Sequence, residues 1–287
     1  MIDRKKLDEA VRHIRNRVKL RPRVALILGS GLGDFADRLS AQVTVPSAEI
    51  PHYPQSTVQG HEGKLVFGRV IVGNRKSPSL LVFKGRVHYY ETGSLPPVIF
   101  PVYVASQLGA KVLFVTNAAG GINRSFKAGQ LMLIRDILAL TFLKLNFRKG
   151  GSTHSGQHTE WPVPGTLANS ELFDVRLQSL IRKNATSQGI DLQEGTYCWL
   201  KGPTYETASE VEMLHRIGAD AVGMSTVPEI ITAKRLGLRV AGISLISNLA
   251  TGLTGEKLSH AEVTETANKV KESFTELMQR VLVSLSA

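Results

Sequence analysis

Cysteine is almost absent: Cys198 is the only one, which excludes an internal disulfide and fits a reducing compartment such as the cytoplasm. Aromatic residues make up only 6% and are not interleaved with basic ones, as a groove that stacks single-stranded bases requires. No apolar run approaches the roughly 20 residues that a membrane-crossing helix needs. The opening, Met1 to Lys6, leads into helical periodicity rather than an export signal. Low-complexity tracts, internal repeats and Pro- or Ser-rich linkers are missing too, so the expectation is a single domain over residues 1–287.

Positive charge is in excess: 35 Lys and Arg stand against 24 Asp and Glu, a formal net charge of +11. Such a surplus favours anionic partners. The basic residues are scattered along the chain, with no run longer than Arg4-Lys-Lys6, which points to a solvated basic surface rather than specific nucleic-acid or membrane binding.

Leu7, Val11, Ile14 and Val18 recur at helical spacing, so the chain opens with an amphipathic helix. Short apolar runs at 24–28, 80–83, 112–115, 131–134 and 240–246 read as buried strands, with helical stretches between them at 98–108 and 208–217. This alternation argues for an α/β fold with a mostly parallel sheet covered on both faces. Ser259 and Glu262 fit a capping box opening a final amphipathic helix. The stretch 146–169, rich in Gly, Ser, Thr and His, reads as a long mobile loop beside the active site.

Five places could hold an anion. Ala219 to Glu229 is an apolar run that breaks at Gly223-Met224 and delivers Ser225 and Thr226 to a helix start, where unpaired N–H groups and the macrodipole favour negative charge. Thr226 and Glu229 fit a capping box, with Pro228 in the first turn. Gly29-Ser-Gly-Leu-Gly33 follows the first strand and could bring backbone and the Ser30 hydroxyl to a phosphate. It misses the dinucleotide fingerprint, because Asp34 stands where the third glycine belongs. Gly60-His-Glu-Gly63 and Lys84-Gly-Arg-Val-His88 each set a cationic or protonatable side chain beside glycine: His61, Arg86 and His88. The backbone near Ala118 ends another strand. In open sheets ligands bind at the carboxyl ends of strands, so Ser30, Arg86, Ala118 and Ser225 converge. Glu206 and Asn248 are an acceptor and a two-way hydrogen-bonder, able to read a planar heterocycle with an N–H beside a carbonyl; Tyr205 could pack on its ring. Taken singly, each of these is also a capped helix, a tight turn or an exposed loop. Metal binding is not expected: His61 and His88 lack partners at helical spacing, and His154 and His158, spaced i, i+4, sit in the glycine-rich loop.

Together the segments 26–33, 60–68, 85–91, 115–123, 202–207, 218–229 and 247–252 resemble, in order, the motifs of the trimeric class of purine nucleoside phosphorylases. The resemblance implies an α/β fold around a mixed, partly barrelled sheet flanked by helices, and three subunits with active sites near their interfaces. It implies reversible phosphorolysis of purine (deoxy)ribonucleosides in purine salvage, with inorganic phosphate as co-substrate and no cofactor. By motif, Ser30, His61, Arg86, the Ala118 backbone and Ser225 hold phosphate; Tyr90, Met224 and His260 meet the sugar; Glu206 and Asn248 hold the base, with Tyr205 and Val222 beside it. Glu206, Asn248 and His88 are the catalytic candidates. The related methylthioadenosine phosphorylases carry Asp where this chain has Asn248, so a 6-oxopurine such as that of inosine or guanosine is the expected base. The chain departs from the family between 146 and 175, where a member lends an aromatic to its neighbour's site; Trp161 is one candidate here.

Overall fold

In the computed structural model residues 2–140, 172–253 and 260–285 are described, apart from the side chains of 260–265 and 267–269. Helix α1 (Arg4–Arg17) is capped by Asp3, whose carboxylate accepts from the N–H groups of Lys5 and Lys6, and it buries Leu7, Ala10, Val11 and Ile14. A cap of this kind contributes about 1 kcal/mol. The strands are β1 (Val24–Ile27), β2 (Ser40–Pro46), β3 (Lys64–Arg69), the small hairpin β4 (Ile71–Val72) and β5 (Arg75–Lys76), β6 (Leu80–Lys84), β7 (Val112–Gly121), β8 (Leu131–Leu138), β9 (Leu192–Trp199), β10 (Ala221–Gly223) and β11 (Arg239–Leu249). Between them run α2 (Tyr89–Thr92), α3 (Leu95–Leu108), α4 (Val175–Ser187), α5 (Ala208–Arg216) and α6 (Val227–Arg235); α7 (His260–Ser284) follows β11.

Nine strands form one sheet in the order β10-β9-β8-β11-β7-β1-β6-β3-β2, and β10 also pairs back onto β7. That last pairing, Ala221 with Gly121 and Val222 with Gly120, closes β7, β11, β8, β9 and β10 into a partial barrel. The sheet is mixed rather than mostly parallel. Its centre, β6-β1-β7-β11, is parallel, whereas β3 lies antiparallel to β6 and β8 antiparallel to β11. Connection length explains this: a parallel neighbour needs a crossover of a dozen residues or more, and residues 122–130 before β8 and the β4–β5 hairpin before β6 are too short.

The central strands are continuous apolar runs because both of their faces are covered. Leu26, Ile27, Leu81, Val82, Leu113 and Ile243 are at most 1% exposed, each contributing about 2 kcal/mol relative to exposure. Helices α1, α3 and α6 lie over one face, and α4 and α7 over the other. No helix among the described residues is long and apolar enough to cross a membrane. The expected loop 146–169, Trp161 and the Ser259–Glu262 cap lie outside the described residues.

Candidate active site

At the C-terminal edge of the parallel strands a cavity of about 300 Å³ opens. It is lined by Ser30, His61, Arg86, His88, Tyr90, Ala118, Tyr205, Glu206, Val222, Met224, Ser225 and Asn248, all of them candidates from the sequence. The thirteenth candidate, His260, begins α7, and its side chain is outside the described residues.

One end of the cavity is made where β1 and β7 stop side by side. Gly29 must be glycine: a Cβ there would lie 2.5 Å from the Asn117 Cα. Its N–H donates to Thr116 Oγ1 at 2.9 Å, and Ser30 follows with its hydroxyl 3.5 Å from His61 Nε2. The other ring nitrogen of His61 accepts from the Arg86 backbone N–H at 3.2 Å. A neutral ring that accepts at Nδ1 carries its proton at Nε2, so His61 presents a donor beside the Ser30 hydroxyl.

Behind this lies a buried polar knot. Arg86, 4% exposed, donates through Nη1 to Ser225 Oγ at 2.9 Å and to Thr226 Oγ1 at 2.8 Å, and through Nη2 to the Thr116 carbonyl at 2.6 Å. Its Nε stands 3.5 Å from the carboxylate of Glu229, itself 1% exposed. Asn117 Nδ2 also donates to Thr226 Oγ1, at 2.9 Å. The expected capping box of Thr226 and Glu229 does not form: the Thr226 side chain caps nothing, and both residues turn instead to Arg86. The reason is the backbone. Thr226 has φ 77° and ψ −47°, and the Val227 N–H donates to the Ser225 carbonyl at 2.8 Å, a γ-turn of the rare, strained hand. Such a conformation in a β-branched residue costs on the order of 1–3 kcal/mol; the three side-chain partners of Thr226 hold it there. The effect is to set the Ser225 hydroxyl on the cavity wall at the mouth of α6. The buried Tyr197 hydroxyl, accepting the Ser225 N–H at 3.4 Å, braces the turn from beneath.

His88 and Tyr90 form the side wall. Their rings stack with centroids 4.9 Å apart, and the His88 ring meets that of His61 edge-on at 5.1 Å. His88 is held by Glu91, which accepts from its backbone N–H at 2.6 Å and pairs with Nδ1 at 3.2 Å. Glu91 also accepts from the N–H and hydroxyl of Thr57 and the hydroxyl of Ser56. Burial works to raise the Glu91 carboxyl, but the hydrogen bonds from His88 and Thr57 outweigh it and hold it down at about 2. Burial, reinforced by the neighbouring Glu91 and Tyr205, pushes the Tyr90 phenol up to about 12, so it stays a neutral hydroxyl.

The opposite end is formed by the approach to α5 and the end of β11. Glu206 precedes Thr207, the N-cap of α5, and is 7% exposed; burial raises its carboxyl above the ordinary value, with a further push from Glu210. Cys198 lies beneath it, its thiol pushed up to about 12 by burial and then by Glu206. Asn248 follows a bulge in the β11–β7 pairing between Ile246 and Asn248, the device by which a strand re-aims a side chain. Its Oδ1 accepts from the Ser247 hydroxyl at 2.7 Å and its Nδ2 donates to the Leu249 carbonyl at 3.0 Å, leaving one amide hydrogen without a partner among the described residues. Val222, Met224 and the 44% exposed Tyr205 supply the apolar walls. Among the described residues no group of three or more His, Cys, Asp or Glu is placed to hold a metal ion.

Sequence reasoning missed the side chains of Asn117, Glu91, Ser247 and Glu229 in these roles. Glu91 had a local signal, the spacing His88-x-x-Glu91 of a capping box. Asn117 and Glu229 had none, because their partners lie 109 and about 140 residues away.

Known proteins resemble this chain over nearly its whole length. The family model described as "Phosphorylase superfamily" matches residues 23–283. Purine nucleoside phosphorylase 1 of Geobacillus stearothermophilus is 39% identical over 285 residues, covering 99% of each chain. The Bacillus subtilis protein of the same name is 41% identical over 277 residues, 96% of this chain and 97% of its own. Among solved structures, a Schistosoma purine nucleoside phosphorylase in complex with hypoxanthine superposes with a TM-score of 0.84 at 33% identity, over 99% of this chain and 98% of that one.

Proposed function

We propose that this chain, which belongs to the phosphorylase superfamily, works as a purine nucleoside phosphorylase with preference for 6-oxopurines. The observation that carries the reading is a single cavity with hydroxyl, imidazole and backbone donors at one end and a buried carboxylate and amide at the other. Phosphate lies among Ser30, His61, Ser225 and the Ala118 backbone, with the charge of Arg86 directly behind Ser225. The sugar spans the middle, against Tyr90 and Met224 and toward the start of α7 at His260.

As the glycosidic bond lengthens, its electron pair moves to the purine and positive charge builds on the sugar. A phosphate dianion beneath C1′ stabilises that charge and then bonds to C1′. The second Asn248 amide hydrogen donates to the purine N7, where negative charge grows, and the ionised Glu206 accepts from N1–H. Interactions that strengthen as charge develops lower the barrier rather than merely tightening binding. A 6-oxopurine has the N1–H that Glu206 requires; a 6-aminopurine presents a bare N1 to it. Schistosoma purine nucleoside phosphorylases are seen in complex with hypoxanthine and inosine but also with adenosine, so the preference rests on Glu206 and Asn248 of this chain. The cytoplasm, a role in purine salvage and a homotrimer with sites near its interfaces belong to the same reading.

The test is hypoxanthine release from inosine with and without inorganic phosphate. Release that requires phosphate and yields ribose 1-phosphate is expected; release without it would make the protein a hydrolase and undo the phosphate assignment. The base preference is tested separately by Asn248→Asp, which should raise activity on 6-aminopurine nucleosides, and no gain would remove Asn248 as its source.

A further inference from the structure

The charge surplus, scattered along the sequence, is gathered by the fold. Four segments, 15–23, 75–80, 107–112 and 234–239, hold eleven Lys and Arg and no Asp or Glu; the rest of the chain is balanced at 24 basic against 24 acidic residues. The entire formal net charge of +11 therefore resides in these four stretches.

They meet in one place. Residues 15–23 lead into β1, 75–80 into β6, 107–112 into β7 and 234–239 into β11, and those strands are the parallel neighbours at the centre of the sheet. Their N-terminal ends form one edge, opposite the edge that carries the cavity. Backbone hydrogen bonds tie the segments together: Lys111 N–H donates to the Arg23 carbonyl at 2.9 Å, Arg239 N–H to the Lys111 carbonyl at 3.0 Å and Arg23 N–H to the Ser79 carbonyl at 2.8 Å. Arg15 adds a side-chain bond to the Gln107 carbonyl at 2.7 Å. Lys19, Arg21 and Arg23 are exposed and alternate with the more buried Val18, Leu20 and Pro22. Among the described residues ion pairs engage two of the eleven, Arg17 with Glu49 and Arg239 with Asp174.

Helix ends account for part of this, since cations offset the negative C-terminus of a helix: Arg15 and Arg17 lie in the last turn of α1, Lys234 and Arg235 in that of α6. Lys19, Arg21, Arg23 and Lys111 lie beyond any helix and form no ion pair among the described residues. Such a concentration of like charge works against folding through self-repulsion and is relieved when a polyanion docks. The four segments contain no aromatic residue, so bases cannot stack on them, and a single exposed large hydrophobic, Ile71 across the β4–β5 hairpin from Lys76, is too little apolar surface to enter a membrane. Phosphates are what remain, and arginine-rich edges suit them through bidentate contacts.

We propose that this edge docks the phosphate backbone of nucleic acid without reading its sequence. The proposal is independent of the reaction at the opposite edge. Fluorescence anisotropy of a labelled 20-nucleotide RNA, titrated with the full-length protein between 50 and 200 mM KCl, tests it. Micromolar binding that weakens steeply with salt is expected, since sequence-independent affinity comes from counterion release. Exchanging Lys19, Arg21, Arg23 and Lys111 together for Gln should reduce the slope of log K against log salt by about 3, at about 0.7 per lost contact for a single strand. The milder pair Lys19→Gln and Lys111→Gln should reduce it by about 1.4. An unchanged thermal midpoint and unchanged inosine turnover show that these variants fold, and Arg124→Gln with Arg216→Gln, basic residues elsewhere on the surface, should leave the slope alone. Equal binding of DNA of the same length supports the proposal. Wild-type affinity in the quadruple variant, a marked sequence preference, or binding to phosphatidylserine vesicles but not to RNA overturns it.

Discussion

At the anion end of the cavity Arg86, Ser225, Thr226 and Asn117 hold one another, and a γ-turn is kept strained by the bonds that Thr226 makes. At the base end Glu206 is buried with its carboxyl raised, and Asn248 keeps an amide hydrogen without a partner among the described residues. The first arrangement is held by bonds made before any ligand arrives, although Arg86 Nε, Asn117 Oδ1 and Glu229 Oε2 have no hydrogen-bond partner among the described residues; the second is completed by a ligand. Polar groups at the anion end therefore contribute to the stability of the fold, while those at the base end detract from it until a purine satisfies them. The difference follows from the ligands: a small anion is gripped by short, fixed donors, whereas a ring must be admitted through an opening and read at its edge.

The largest effect should come from Arg86→Ala. It leaves Glu229, 1% exposed, as an unpaired buried carboxylate, and breaking such a pair costs about 3–5 kcal/mol. A lowered unfolding midpoint is expected together with a phosphate KM that rises far more than the inosine KM. Equal losses for both substrates would make Arg86 a purely structural residue, and an unchanged midpoint would erase the contrast between the ends.

Asn248→Ala comes next. Removing one donor from developing negative charge costs about 10²–10³ in rate, so kcat/KM for inosine should fall by that much while the unfolding midpoint stays put. A midpoint that falls as far as that of Arg86→Ala would show the two ends to be alike.

Glu206→Gln is the smallest and the sharpest. Losing a hydrogen bond to a charged acceptor costs about 2 kcal/mol, roughly thirtyfold in kcat/KM for inosine. The variant should nevertheless be more stable than wild type at neutral pH. Because the Glu206 pKa is raised in the fold, the native state holds its proton more tightly than the unfolded chain, and stability is lost as pH rises through the carboxylate range. Glu91 has the opposite sign: held at about 2, it contributes stability that is present above the ordinary carboxylate range and lost as pH falls toward 2. Thermal melts from pH 3 to 8 on wild type, Glu206→Gln and Glu91→Gln should therefore differ in opposite directions, and parallel curves would refute the assignment.

Much of the fold was legible because burial on both faces writes continuous apolar runs. The runs at 24–28, 80–83 and 240–246 became β1, β6 and β11, and α3 and α5 lie where helical spacing put them. Strand β9 was not visible, since its first residues, Leu192, Gln193 and Glu194, are half-exposed and mixed in polarity. The strand-like apolar run that breaks at Gly223-Met224 became the three-residue β10. The Ser259–Glu262 cap and the 146–169 loop stay outside the described residues, so those expectations stand as expectations.

The order of apolar runs, the glycines beside His61 and Arg86, and the hydroxyls at the mouth of α6 were enough to establish an α/β sheet and to collect nine cavity residues, because local spacing and side-chain chemistry are properties of the chain alone; the family resemblance added Tyr90, Val222 and Met224. Which strands run antiparallel, why Thr226 is forced to positive φ, what holds Arg86, and that basic residues of four distant segments gather at the edge away from the cavity were decided only by the fold. Each of these depends on groups far apart in sequence, and their bonds and charges act only once the sheet has brought them within a few ångströms.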